Sequence, residues 1–200
     1  MPDTSVTDTA VPALAADEEV LVGLLARVFR TDPIAEWVFP DAARRDAVLP
    51  RFFGILYSAA VGNGGAYTNA ARTGVLLSLP ANATEPPELV GALIEAVGED
   101  AVRFGTVAQA QAERRPERPH QYFTFGGLDP SVQGHGVAGA LFASVLRQCD
   151  ADGVGGYLEA SSPAGLAVAH RLGFTEFGDE IRMPDGPALQ PMWRDARALD

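Results

Sequence analysis

The pattern best suited to chemistry in this chain is Gln133-Gly134-His135-Gly136-Val137-Ala138. It precedes a segment in which Ala138, Leu141, Phe142, Val145 and Cys149 recur at helical spacing. A helix start presents unpaired backbone N–H groups and a partial positive charge, so it attracts an anion wherever side chains leave room. Gly134 and Gly136 remove two side chains there, Ala138 keeps the first turn small, and Gln133 adds a side-chain donor. The expected ligand carries phosphate, met by successive amides of Gly134, His135, Gly136, Val137 and Ala138. An ordinary glycine turn before an amphipathic helix is the competing explanation. A dinucleotide site is another, since GHGVAG has glycines at Gly134, Gly136 and Gly139, and Glu159 follows about twenty residues on. That fingerprint belongs to the first strand-helix unit of its fold, whereas this unit lies well past the middle of the chain. A Walker A loop is excluded, because no G-K-[ST] follows the glycines.

Asp32, Glu36 and Trp37 form a second constellation, between two helical segments. Acids attract an ammonium group and an indole offers it a π-face, so these three are candidates for holding a cationic amine. Asp17, Glu18 and Glu19 read as a solvated helix start, where the dipole favours acids. The single cysteine, Cys149, lies on the apolar side of its helix and is expected to pack rather than react. One cysteine can neither close an internal disulfide nor build a zinc cluster, and no metal site is expected.

These residues need elements to position them. Apolar Val20, Leu21, Leu24, Leu25 and Val28 predict a first helix, ended by Asp32-Pro33. A second helical region follows, with breaks expected near Pro40 and Pro50. AYTNAARTGVLLSLP reads as two strands around a turn at Asn69 to Arg72. Residues 88–114 are helix-rich, with breaks expected at Gly98 and Gly105, and HQYFTFGGLDP is a strand expected to bulge at Gly126-Gly127. After the glycine-led helix come a short strand, VGGYLEA, and a helix with Ser162 as cap and Pro163 at its first position. Two closing strands flank the turn Pro184-Asp185-Gly186. The order predicts an α/β or α+β domain with a mixed sheet, residues 13–200, behind a loose tail over residues 1–12.

Two hundred residues, 47% of them hydrophobic, suffice for one domain with a substantial core. A net charge of -11 argues against nucleic acid or an anionic membrane as partner and suits a cationic or neutral one. All fifteen cationic residues are arginine. The N-terminus lacks the basic and apolar regions of a signal peptide, and no apolar run approaches the length of a membrane span. A cytoplasmic protein, monomer or homodimer, is expected.

The chain resembles the GNAT superfamily of N-acetyltransferases, whose acetyl-CoA signature Q/R-x-x-G-x-G/A is met at every specified position by Gln133 to Ala138. LDPSVQGHGVAGALF follows the family's order of strand, turn and helix, and Arg171-Leu172-Gly173-Phe174 matches the end of its later helix. The branch containing puromycin N-acetyltransferase is most similar, through RPERPHQYF, LEASSP and VFRTDPIAEWVFPD. The likeness spans Val11 to Trp193. It implies a mixed, mostly antiparallel sheet flanked by helices and splayed at its central strands into an acyl-CoA cleft. Acetyl-CoA would lie there as co-substrate, its pantetheine arm along the backbone of Gly127, Leu128 and Asp129 and its pyrophosphate on Gln133 to Ala138.

Acetyl transfer to a small amine then needs an unprotonated nucleophile, a polarised carbonyl and a thiolate leaving group. The resemblance makes Glu159, at the end of its strand, the first candidate for the base and His120 a second. It also exposes a departure: alignment on Gly173-Phe174 places Ala169 where related sequences carry a tyrosine general acid. His170 lies about 100° round the helix and does not replace it. Two functions follow, an N-acetyltransferase working by direct attack in a ternary complex, or an acyl-CoA-binding protein with little transfer, acting as a sensor or interaction protein.

Overall fold

The computed structural model describes residues 9–81, 83 and 86–198. The chain begins with a short strand, β1 (Val11–Pro12), and a first helix, α1 (Glu18–Phe29), which buries Leu21, Val22, Leu24 and Leu25. The tail expected to be loose through residue 12 is therefore tied down at Val11 and Pro12, which pair with Thr68 and Tyr67; residues 1–8 lie outside the described residues. Asp17 is likewise buried rather than solvated. Its carboxylate accepts from the Leu14 amide at 3.0 Å and from Arg72 at 2.5 Å, bonds that hold its pKa below the ordinary range.

Asp32 caps α2 (Pro33–Val38), accepting from the amides of Ile34 and Ala35, and Asp41 caps α3 (Ala42–Gly62). The break expected at Pro40 falls between these helices, but Pro50 does not interrupt α3. It sits on the exposed side, where the hydrogen bond it cannot donate leaves only the carbonyl of exposed Asp46 to solvent. After the hairpin of β2 (Ala66–Thr68) and β3 (Gly74–Leu79) come α4 (Pro87–Val97), a 3-10 turn at Gly98–Asp100 and α5 (Ala101–Arg114). Gly98, at a φ of +58°, separates the two helices, whereas Gly105 lies inside α5 without breaking it.

β4 (His120–Leu128), α6 (Val137–Asp152), β5 (Gly155–Ala160) and α7 (Pro163–Arg171) form the central unit, followed by β6 (Thr175–Glu176), β7 (Ile181–Arg182) and β8 (Ala188–Arg194). The sheet runs β1-β2-β3-β4-β5-β8-β6, with β7 on β8, and every pairing is antiparallel except β4 with β5. α6 and α7 cover one face, where Leu146 and Cys149 of α6 pack with Leu76, Phe123, Phe174 and Met192. α1 and α3 cover the other, where Phe29, Phe52 and Phe53 surround Phe125.

The bulge in β4 does not fall at Gly126-Gly127, which pair regularly with Leu76 and Val75. It falls at Thr124, left without a partner between Phe123, opposite Ser78, and Phe125, opposite Leu77. Its hydroxyl donates to the Leu77 carbonyl at 3.1 Å. One extra residue inverts the alternation, so Phe125 joins the phenylalanine cluster while Phe123 packs on Phe142 and Phe174 across the sheet. Tyr122 and His120 thereby share a face with Phe125.

Candidate active site

Gly136 caps α6 at a φ of +87° and Gly134 lies at +80°, conformations that glycine adopts without strain. A Cβ built at either position would meet no heavy atom within 4 Å, so both backbones border open space. No hydrogen bond within the described residues uses the Gly134 or Gly136 amide, and the amides of Val137 and Ala138 begin the helix. His135 differs from the expectation: its amide already donates to the Val132 carbonyl at 3.3 Å. Gln133 is exposed beside the loop, and Val137 turns its side chain into the core. This donor set suits a diphosphate.

Next to the loop, the central strands part. β4 pairs with β5 from His120–Gly155 to Phe123–Leu158 and no further, although β4 continues to Leu128 and β5 to Ala160. The amide of Asp129 donates to the Thr73 carbonyl at 2.8 Å, which by strand alternation turns Gly127 toward β3 as well. The outward main-chain groups are those of Leu128 and of Gly126, a residue that the sequence marked for a bulge and not for the cofactor. An extended chain of amides suits such an edge, because it completes a ladder the protein leaves open.

On the face opposite α6 and α7, Glu159 stands two residues after Tyr157, which pairs in register with Tyr122. Its Oε1 accepts from the Tyr157 hydroxyl at 2.8 Å; its Oε2 accepts from the Tyr122 hydroxyl at 2.5 Å and from Gln111 of α5 at 3.1 Å. Burial raises its pKa, opposed by these three donors and by the charge of Arg115. Burial also raises the pKa of both tyrosines, and the Glu159 charge adds to the rise. Arg115 stacks on the Tyr122 ring at 4.4 Å. Tyr122, Tyr157 and Gln111 come from three elements, and their only trace in the sequence is a tyrosine in each of the two central strands.

His120 lies at the opposite end of β4 from the parting, paired with Gly155. Glu159 is four residues further along β5, about 13 Å at the usual strand rise. The His120 Nδ1 lies 2.8 Å from the Arg118 carbonyl, and burial lowers its pKa. Its ring packs against Tyr157 and Trp193. Asp32, by contrast, reaches the end of β5, where the Ser161 hydroxyl donates to its Oδ2. Burial raises the Asp32 pKa, and the bonds from Ser161, Ala35 and Ile34 oppose that rise. Glu36 and Trp37 do not join Asp32. Glu36 is exposed and lies 3.6 Å from Arg45, while Trp37 packs against Gly186 and under Arg103. Ala169, on the inner side of α7, is 1% exposed and packs in the core with Leu146, Cys149, Phe174 and Met192. Cys149 packs in the same core, and burial pushes its thiol up to about 11.

No protein-family model matches the chain. Mycothiol acetyltransferase of Brachybacterium faecium is 43% identical over 58 residues, 28% of this chain. That match spans 18% of the relative's length, less than a fifth. Among solved structures, one described as histone acetyltransferase HPA2 and related acetyltransferase from Corynebacterium glutamicum aligns with a TM-score of 0.66 at 24% identity, over 97% of this chain and 99% of that one. An agmatine N-acetyltransferase aligns at 0.66 and 15% identity, covering 94% and 98% of the two chains. The Drosophila melanogaster polyamine N-acetyltransferase, which forms N-acetylagmatine, aligns at 0.61 and 16%, covering 94% and 99%. Parted central strands, a glycine-led helix beside them and these whole-chain alignments agree: the chain has the fold of the GNAT-superfamily N-acetyltransferases.

Proposed function

We propose that the chain is an acetyl-CoA-dependent N-acetyltransferase that acts on a small, cationic amine by direct attack in a ternary complex. The observation that carries this is the open β4 edge at Gly126 and Leu128, continuous with the unused amides of Gly134 and Gly136. An amide-bearing arm ending in a diphosphate fits that run of donors and acceptors. The similar structures named for agmatine and polyamine acetylation support an amine acceptor. RPERPHQYF and LEASSP support a place near the puromycin N-acetyltransferase-like branch.

Acetyl-CoA, when bound, supplies a thioester carbonyl and a thiolate leaving group. The chain's own residues do the rest. Gln133 and the amides of Gly134, Gly136, Val137 and Ala138 hold the diphosphate, and the β4 edge holds the extended arm. Glu159 is the base: the amine forms a C–N bond as the C–S bond breaks, and its surplus proton passes to the Glu159 carboxylate. Asp32, at the end of β5, attracts the acceptor's positive charge. His120, on the paired end of the strands, serves the packing of the aromatic cluster.

The test is CoA release, followed with a thiol reagent, over a panel that includes polyamines, arylalkylamines and guanidino-amines. Acetyl-CoA-dependent release with at least one amine is expected. A second function, acyl-CoA binding without efficient transfer, is favoured by one observation: Ala169 brings no hydroxyl to the position of the family's general acid. Tight binding of acetyl-CoA without turnover on any amine would select it.

A further inference from the structure

Glu159 is held in a way that a carboxylate needed only for charge would not require. An ionised carboxylate has about four acceptor sites on its two oxygens. Tyr122 and Gln111 use both sites of Oε2, and Tyr157 uses one site of Oε1. The donors come from β4, α5 and β5, so the side chain is fixed from three directions. Tyr122 joins because it pairs in register with Tyr157, which shares a face with Glu159 two residues on, and the two rings lie 5.5 Å apart. Glu159 as a whole residue is nonetheless only partly buried.

We infer that Tyr122, Tyr157 and Gln111 are positioning residues for Glu159, occupying all but one of its acceptor sites and leaving that one, on Oε1, to receive the proton of the attacking amine. The inference rests on the acetyltransferase function proposed above. Both phenols remain neutral donors through the working pH range, since burial and the neighbouring carboxylate oppose their ionisation. The groups facing the carboxylate are then the two tyrosines, Gln111 and the cation of Arg115; Pro191, opposite it on β8, brings no charge. His120 meets the tyrosine rings but not the carboxylate.

Removing a donor leaves the charged form of Glu159 less satisfied, so its pKa rises, and an activity that needs the ionised base loses its acid limb at higher pH. Tyr157→Phe keeps the ring and deletes one bond; Gln111→Leu deletes another from the half-buried side of α5. Each is expected to move the limb upward by about one pH unit, the size of one hydrogen bond to a charged group. A purely structural role would lower turnover at every pH and leave the limb in place.

The experiment measures two quantities in wild type and in both variants. One is the pH profile of kcat/KM with the best amine; the other is a 13C-carboxyl NMR titration of Glu159, assigned by difference from Glu159→Gln. Both midpoints moving upward together is the expected result. Midpoints unmoved in both variants, or a moved titration with an unmoved activity limb, overturn the inference. Wild type inactive on every amine overturns the acetyltransferase function instead; the titration then decides separately whether the three donors set the carboxylate.

Discussion

The two halves of the site are built by opposite means. The proposed cofactor half is a run of consecutive residues, Gly126 to Ala138, that offers backbone groups and glycine conformations. The proposed catalytic half is assembled from side chains on α5, β4 and β5 around one carboxylate, with Asp32 arriving from the α1–α2 connection. The difference teaches that, on the proposed function, binding depends on what is left unoccupied, whereas catalysis depends on what is brought together. Mutations should therefore separate the two.

The largest separation is expected from Glu159→Gln. It removes the base but keeps the volume, so kcat should fall by about two to four orders of magnitude while acetyl-CoA affinity stays near wild type. Equal losses in both would break the division. The converse is Gly136→Val. A β-branched residue at a φ of +87° is strained and places bulk where the diphosphate would lie, so acetyl-CoA affinity should weaken by about 10- to 100-fold in calorimetry.

Ala169→Tyr sharpens the comparison from the core side. The residue is 1% exposed among Leu146, Cys149, Phe174 and Met192, so a phenol there overpacks the core. Stability should fall by about 1–3 kcal/mol in denaturant unfolding. A stable variant with raised turnover would show instead that this position opens to the cleft. The smallest effect belongs to Asp32→Asn. It keeps the Ser161 contact in shape and removes one charge, so KM for a cationic amine should rise by about 3- to 10-fold, with KM for acetyl-CoA unchanged.

The pH dependence follows from Glu159. Burial lifts its pKa above the ordinary glutamate value, and the base works only when ionised. Activity should thus fall with acidification at a pH above the ordinary glutamate value, and a limb at that value would contradict Glu159 as the base.

The cofactor half was the more legible in the sequence, for a physical reason. A left-handed glycine and a missing side chain are local properties, and Gly134, Gly136 and Ala138 display them within five residues. The cap Ser162 and the glycine at the end of its helix, Gly173, were legible in the same way, whereas Asp32 read as the end of α1 and not as the cap of α2. The catalytic half is nonlocal. Nothing near Glu159 announces Gln111, and Tyr122 reads as alternating with Gln121 and Phe123 until the Thr124 bulge inverts the strand beyond it. Glu36 and Trp37 sit within five residues of Asp32, yet the short α2 turns them toward Arg45 and Gly186. Pro50 reads as a helix breaker, but its solvent-facing place in α3 makes the lost bond tolerable.

The central claim is that the parted β4 edge and the glycine-led start of α6 together hold acetyl-CoA. Isothermal titration of the folded protein with acetyl-CoA tests it most directly. Saturable heat with one cofactor bound per chain, weakened by Gly136→Val and not by Glu159→Gln, is the result expected. No heat of binding to the well-folded wild type, with either acetyl-CoA or CoA, would contradict it.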